Sequence, residues 1–523
     1  MAFRGHDESH ESCQQGNFKE LVNLLAKYDT TLKNHLVMGP KNAQYVSNHI
    51  QNDLIFSLHN VVFKQIKSSI NDCKISIIAD ETSDVGHHEQ LSIVIRHFDK
   101  QTNRPIETFV ALRRMKSVDA QSIFDAITSV LLVLLQLSKN WTSVISVCFD
   151  GASTMSGGIG GVQANFIEGS PTRHAILEKI IAASFGQKFA TLKSLSTTRW
   201  ACRAEAVTSV KNHYASILTA IEEICEKSNV PEMRAKGLLV QMKSFEFIFG
   251  LVMMQPILQM ILKISKLLQS NNLELLTAVE VLNSLKSSLV SMRNNSNSFE
   301  DIYQNCLDMC EEYEIHTPDV KRRKVSTKID TSQNQYFFET KSDEMKVTVF
   351  NTTLDKLING IDSRFNQESL KIINSIGNMV KLNTGENISY QCLKEQFGIC
   401  EDDLCTEIIL LKNMTDIPNG GTSVKTIHEW LDWLQDSNKS EIFSNFSKAL
   451  QLFVTIPVTS CSCERSFSKM TIVKSKLRTT MTQKRLDSLM LLFVEQHRTN
   501  NVDIDEVIEE FNVLNDTTRR MVL

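Results

Sequence analysis

Two hydrophobic stretches early in the chain each end in an aspartate. In CKISIIAD, Cys73, Ile75, Ile77 and Ala79 alternate onto one face, and Asp80 falls on the other at the end. VISVCFD, from Val144, closes in the same way on Asp150. Carboxylates distant in sequence but ending neighbouring strands could meet at one sheet edge, and hard divalent cations prefer such oxygen donors. A metal pair roughly 3.5–4 Å apart activates a nucleophile and stabilises the leaving oxygen in phosphoryl transfer. Each aspartate has an ordinary alternative, that of closing a turn. Period and position leave both roles open.

The elements that would position these residues follow from periodicity. Residues 17–70 carry a helical pattern, with Leu21, Leu24, Leu25 and Tyr28 on one stripe. The period then drops to two. After the strand ending at Asp80 comes a turn-like stretch, Asp84–His88, and a second strand in which Leu91, Ile93 and Ile95 alternate with Ser92, Val94 and Arg96. A third strand is predicted from about Ile106 to Leu112. Ser117 or Asp119 caps a helix whose buried stripe is Ile123, Ile127, Val130, Leu131 and Leu134. A helical crossover into the strand Val144–Asp150 favours parallel pairing within the same sheet. A flexible loop starting at Gly151 and including Ser156-Gly-Gly follows. From about Ala204 to Leu410 the helical period dominates, with Lys243–Leu268 interrupted by Pro256 and a long stripe from Leu273 to Leu289. His316–Glu344, which contains Lys321-Arg-Arg-Lys324, is predicted as an exposed loop. Towards the end, Phe443–Val458 is apolar, SCSCERSF (460–467) opens a helix with Ser460 or Ser462 as cap, and the last clear helix carries Leu486, Leu489, Met490 and Phe493 on one face.

At 523 residues the chain is too long for one ordinary core. Its hydrophobic content of 42% and charged content of 22% are those of a globular protein. A net charge of −4 argues against a surface that coats nucleic acid throughout, but leaves room for a local basic groove. No secretory leader is visible, and the run Val130–Leu137 is far short of the roughly 18 residues a membrane span needs, so no membrane partner is expected. The twelve cysteines are scattered, as in a reduced protein. Cys306, Cys310 and His316 form a conceivable metal set, but helix-face thiols are the more ordinary explanation, and no zinc site is expected.

Four segments occur in order: IADETSDVGHHEQLSIVIR, CFDGASTMSGGIGGVQ, SLSTTRW and IPVTSCSCERSFSKM…LRTTMTQKRLDSLMLLF. Together they resemble hAT-family DNA transposases, in the branch found beside MYM- or TTF-type zinc fingers, with a DUF4371-like region. The resemblance covers nearly the whole chain, and SCERSFS is its most specific part. It implies an α/β fold in which an RNase H-like core is interrupted by a large all-α insertion, with a C-terminal helical dimerisation segment. It implies metal-dependent DNA cleavage and strand transfer by Asp80, Asp150 and Glu464, holding Mg²⁺ or Mn²⁺. Trp200 corresponds to a family tryptophan thought to stack on a flipped base, an effect that would stabilise an extruded nucleotide; a core aromatic is the alternative. Arg199 and Arg465 are the accompanying DNA-binding candidates.

The expected division is an N-terminal helical segment (1–70), the first part of the core (71–203), the insertion (204–425), the last part of the core with the dimerisation region (426–498) and a tail (499–523). A homodimer or higher homo-oligomer through residues 443–498, a DNA partner and a nuclear location are expected. Phe453, Ile456, Phe467, Ile472, Leu477, Leu486, Leu489, Met490 and Phe493 supply apolar surface for a dimer, or else complete the chain's own core. Arg465, Lys469, Lys474, Lys476, Arg478, Lys484 and Arg485 make the same stretch basic. Two departures from the family count against activity. The zinc finger expected upstream is missing or was never in this gene model, and GVQANFIEG runs almost directly into SPTRHAILEKI where relatives carry a Cys-x-x-His segment; His174 is no substitute. Loss of supporting structure would misplace Asp150, so weak or absent strand transfer is expected, and a non-catalytic, dimerising regulatory descendant is the alternative.

Overall fold

The computed structural model describes residues 15–40, 44–117, 119–134, 136, 143–149, 200–227, 232–270, 275–318, 338–364, 367–383, 388–418 and 426–514. Asp150, Gly151, Ser156, His174, Arg199 and the Lys321–Lys324 run lie outside them. The chain is mixed α/β and forms two compact units. One comprises Met1–Asp150, Asn378–Gly421 and Lys425–Leu523; the other comprises Gly151–Gly377 with Thr422–Val424.

The first unit is built on one sheet. β1 (Ile75–Ser83), β2 (Glu89–Asp99) and β3 (Arg104–Arg114) form an antiparallel meander, and β4 (Val144–Phe149) returns parallel to β1, giving the order β3-β2-β1-β4. This is the predicted meander with a helical crossover. Asp84 closes the β1–β2 turn: its Oδ1 accepts from Gly86 N at 2.7 Å and His88 N at 3.2 Å, while His87 adopts φ 58°. β1 runs three residues past Asp80 beside β2, whereas its pairing with β4 stops at Ala79↔Phe149. Asp80 therefore sits just beyond the parallel pair rather than at the strand's end.

The preceding helices are α1 (Asn17–Leu25), α2 (Thr30–Met38) and α3 (Asn48–Ile70). The stripe Leu21, Leu24, Leu25 and Tyr28 is exposed, whereas α3 buries Val62, Ile66 and Ile70 against the sheet's apolar residues. α4 (Ala120–Thr128) is capped by Asp119, whose carboxylate accepts from Ser122 N at 2.9 Å. It continues as π-helical turns, Ser129–Leu134, burying Ile127, Val130 and Leu131 in the same core.

The helical unit contains α5 (Trp200–Asn212), α6 (Tyr214–Lys227), α7 (Glu232–Met242), α8 (Phe245–Leu268), α9 (Leu275–Asn294), α10 (Ser296–Glu312), α11 (Thr352–Arg364) and most of α12 (Gln367–Val380). Pro256 does not interrupt α8, which runs through it. A proline inside a helix costs about 3 kcal/mol. Burial of Phe249, Val252, Met253, Ile257 and Leu258 along α8 outweighs it, at roughly 1.5–3 kcal/mol per large side chain. α8 is also the one described helix long and apolar enough to cross a membrane, and here it is the core helix of its unit. Cys306 and Cys310 are buried in that core and burial pushes both thiols up, while His316 is exposed: the two cysteines are packing residues.

The C-terminal part returns to the first unit. Residues 378–421, placed in the insertion on sequence grounds, pack there through α13 (Gln391–Phe397) and α14 (Glu401–Lys412). α15 (Thr426–Gln435) is tied to the β2–β3 turn by Arg104, whose two Nη atoms donate to the Asp432 carboxylate at 2.6 and 2.7 Å. The buried Glu407 of α14 accepts from Asn445 N and Phe446 N, capping α16 (Ser444–Thr455). There follow α17 (Cys461–Val473), α18 (Gln483–Val494), α19 (Gln496–Asn500) and α20 (Ile504–Leu514). The expected tail thus contains a packed helix, whose Phe511 is buried and whose Glu510 accepts from Asn60 of α3 at 2.8 Å.

Candidate active site

The face of the sheet that carries Asp80 can be read from register. Asp80 pairs with Ser92 across β1 and β2, so the two side chains share a face. The Ser92 hydroxyl lies 2.8 Å from that of Ser466 on α17. On the same helix the Cys463 thiol is 3.6 Å from both the Ile78 and the Ser92 carbonyl oxygens. The cysteine is wholly buried, and burial holds its thiol well above the ordinary range, with Asp80 adding to the rise. The SCERSFS helix therefore lies across β1 and β2 on the Asp80 face. Cys463 and Ser466 form its inward stripe. Glu464, one residue on and so turned about 100°, is half-buried in the first helical turn, where the helix dipole favours a negative charge.

Asp80 is half-buried and its Oδ1 accepts from Glu81 N at 2.8 Å. Among the described residues no three His, Cys, Asp or Glu side chains gather closely enough to hold a metal ion. Two of the three expected carboxylates nevertheless belong to elements in direct contact, and the third, Asp150, follows Phe149 immediately in sequence. The donors suit a hard cation: they are carboxylates, and the neighbouring thiol is kept neutral by burial.

Two buried polar networks fix this arrangement, and sequence reasoning missed both. In the first, Arg96 on β2 donates from Nε and Nη2 to the Val454 carbonyl at the end of α16, at 2.9 and 2.7 Å, and from Nη1 to Glu107 on β3 at 2.8 Å. Glu107 also accepts from Ser462 and from Arg465. Ser462 is thus spent on the sheet, and the Ser460 side chain makes no cap bond. Arg465, expected at DNA, is half-exposed and ion-paired with Glu107. In the second network, Lys474 just after α17 donates to Asp84 at 2.6 Å with both side chains buried. Gln90 donates to Asp84 at 2.9 Å, and Gln483 donates to Gln90 at 2.9 Å. Burial alone would raise the Asp84 pKa; the bonds from Lys474, Gln90, His88 and Gly86 outweigh it and hold the group at about 2. The available signal was a pair of unlike charges, Asp84 and Lys474, each beside a specific motif.

α18 closes the edge of β3. Leu112 N donates to Asp487 at 2.7 Å, Phe109 N donates to Glu495 at 2.8 Å, and Gln483 donates to the Leu112 carbonyl at 3.0 Å. Three side chains thus satisfy backbone groups that an edge strand otherwise presents to other chains. Of the apolar residues weighed for a dimer surface, Phe453, Leu486 and Met490 are fully buried in this unit. Phe467, Leu489 and Phe493 pack partly into its core, and Ile472 is 65% exposed.

The two ends of the chain that meet on this sheet are also the parts that match known families. Residues 1–161 match the DUF4371 family, described as the ZMYM1/FAM200 RNase-like domain, and residues 416–497 match the hAT family C-terminal dimerisation region. This is a hAT-derived, transposase-like protein. Apart from residues 422–424, both matched segments and the sheet they build fall in the first unit or within eleven residues of its first boundary, at 150/151. The dimerisation region supports homo-oligomerisation of this transposase-like chain. Of the remaining DNA candidates, Trp200 begins α5 in the helical unit and Arg199 lies outside the described residues.

Proposed function

We propose that the chain is built for metal-dependent DNA cleavage and strand transfer on an RNase H-like core, working in the nucleus as a homo-oligomer. Asp80, Asp150 and Glu464 hold Mg²⁺ or Mn²⁺, which when bound would activate a water or a 3′-hydroxyl and stabilise the leaving oxygen. Trp200, Arg199 and Arg465 contribute to the grip on DNA. The observation that carries this reading is the seating of the SCERSFS helix on the Asp80 face, through Cys463 and Ser466. Asp84–Lys474 and Arg96–Glu107 lock that seating, as a catalytic site requires of its supporting shell.

The alternative, a non-catalytic descendant acting by dimerisation, is favoured by one sequence observation: the Cys-x-x-His segment of relatives is missing between Asp150 and Trp200. Nicking of supercoiled plasmid by the purified chain separates the two. The catalytic reading expects Mn²⁺-dependent nicking, weak in rate and abolished by Asp80→Asn and by Glu464→Gln. No nicking by a folded, oligomeric protein, or nicking indifferent to both substitutions, would leave the non-catalytic reading in its place.

A further inference from the structure

The basic residues near the C-terminus are not equivalent. Lys469 donates to the carbonyls of Phe493 and Val494 at 3.2 Å each, closing the end of α18, and Lys474 is buried on Asp84. The charge of Lys474 is thus neutralised inside the fold, and the ammonium of Lys469 is held on main-chain carbonyls. What remains is concentrated at one corner of the first unit. Beyond Lys474, the eleven residues Ser475–Arg485, SKLRTTMTQKR, contain four basic side chains and no acidic one, in a chain whose net charge is −4. The segment is anchored at both ends, by Lys474 on Asp84 and by Gln483 on Gln90 and Leu112. Arg478 donates to the Val473 carbonyl at the end of α17 at 2.8 Å.

That anchoring sets it beside the end of β3. Gln90, which Gln483 grips, pairs with Arg114 in the β2–β3 ladder, and Met115 N donates to the Glu89 carbonyl at 2.8 Å. Arg114 and Lys116 are exposed there, as are Lys476 and Lys484 on the anchored segment, with the side chains of Thr479, Thr480 and Thr482 exposed between them. Of the acids close by, Asp84 is paired with Lys474 and Asp487 accepts from Leu112 N and lies 3.7 Å from Arg113, while Glu89 accepts from Ser83 and keeps its charge. His59 of α3 is lowered to about 4 by burial first, then by Arg113 and Lys484.

We infer that the corner formed by Arg114, Lys116, Lys476 and Lys484 is a phosphate-binding surface for a nucleic-acid backbone. It presents exposed cations and hydroxyl donors on an anchored backbone, the groups that contact phosphate oxygens without reading sequence. A pre-anchored loop holds them without the ordering cost a mobile basic tail would carry. The inference rests on the proposed DNA partner and adds where the backbone lies, on a surface distinct from Asp80 and Glu464.

The test is binding of the full chain to a fluorescein-labelled DNA duplex, followed by anisotropy across a salt series. Each phosphate contact contributes about 0.9 to the slope of log K against log salt. The triple variant Arg114→Gln, Lys476→Gln, Lys484→Gln is expected to flatten the slope by about 2–3. Lys27→Gln with Lys33→Gln, in the turn after α1 and on α2, is expected to leave it unchanged. If the wild-type chain binds duplex and the triple variant keeps the full slope, the corner is wrong while the DNA partner stands. If the chain binds phosphatidylserine vesicles and not duplex, or binds neither, both fail.

Discussion

The two units hold themselves together by different means. In the helical unit the interior is apolar and aromatic: Tyr214, Phe245, Phe249, Phe299 and Phe350 pack with aliphatic side chains, and the described ion pairs Lys286–Asp362 and Arg293–Asp355 are at the surface. In the sheet unit the apolar core is crossed by charged side chains, Arg96 with Glu107 and Lys474 with Asp84, joining residues more than three hundred positions apart in the second case. Apolar packing tolerates exchange of similar shapes, whereas a buried charge pair admits one geometry. The difference indicates where position matters. The unit that seats the Glu464 helix on the Asp80 face uses directional bonds, and the helical unit uses bulk.

The comparison can be broken by substitution. Lys474→Met leaves Asp84 buried without its partner and should cost about 3–5 kcal/mol in urea unfolding. Adding Asp84→Asn should recover part of that loss; no recovery would mean the pair is not coupled. Leu289→Ala, in the helical core, should cost about 2–5 kcal/mol through its cavity. Unlike Lys474→Met, it should leave the Mn²⁺ binding proposed for the sheet unit unchanged.

Acid titration sharpens the contrast further. His59 in the folded chain is depressed to about 4. The unfolded chain therefore takes up the proton first, and stability is lost as pH falls from the ordinary histidine value of 6.5 towards 4. His59→Leu should flatten that limb by on the order of 2 kcal/mol. Asp84, held at about 2, adds a further loss below the ordinary carboxylate value of 3.8, which Asp84→Asn should remove. Burial raises Asp487 and Glu495, so both oppose this loss, being better tolerated when protonated. The smallest effect belongs to the helical unit: Arg293→Gln, which removes a surface pair, should leave the urea unfolding midpoint almost unchanged.

Much of the sheet was legible because one rule governs it. A strand buried on a face alternates, and Ile75, Ile77 and Ala79 do so in plain view. The Asp119 cap was legible for the same reason, as a local bond between near neighbours. What escaped was non-local. Lys474 stands in a run of basic residues that would ordinarily be solvated, and only the fold reveals Asp84 beside it. Residues 378–421 share the helical period of the insertion, and period does not say which core a helix joins. Pro256 looked like a break because its cost is local, whereas the burial that offsets it is tertiary. The candidate site was legible at Asp80 by position, and at Glu464 by family resemblance alone.

The central claim is that Asp80 and Glu464 belong to one cation site. Isothermal titration of the full chain with Mn²⁺ tests it most directly, using the wild type, Asp80→Asn and Glu464→Gln. The account predicts that each substitution removes or severely weakens the same binding event while the protein stays folded. If Asp80→Asn abolished binding and Glu464→Gln left it untouched, the SCERSFS helix would not contribute to the site and the account would be contradicted.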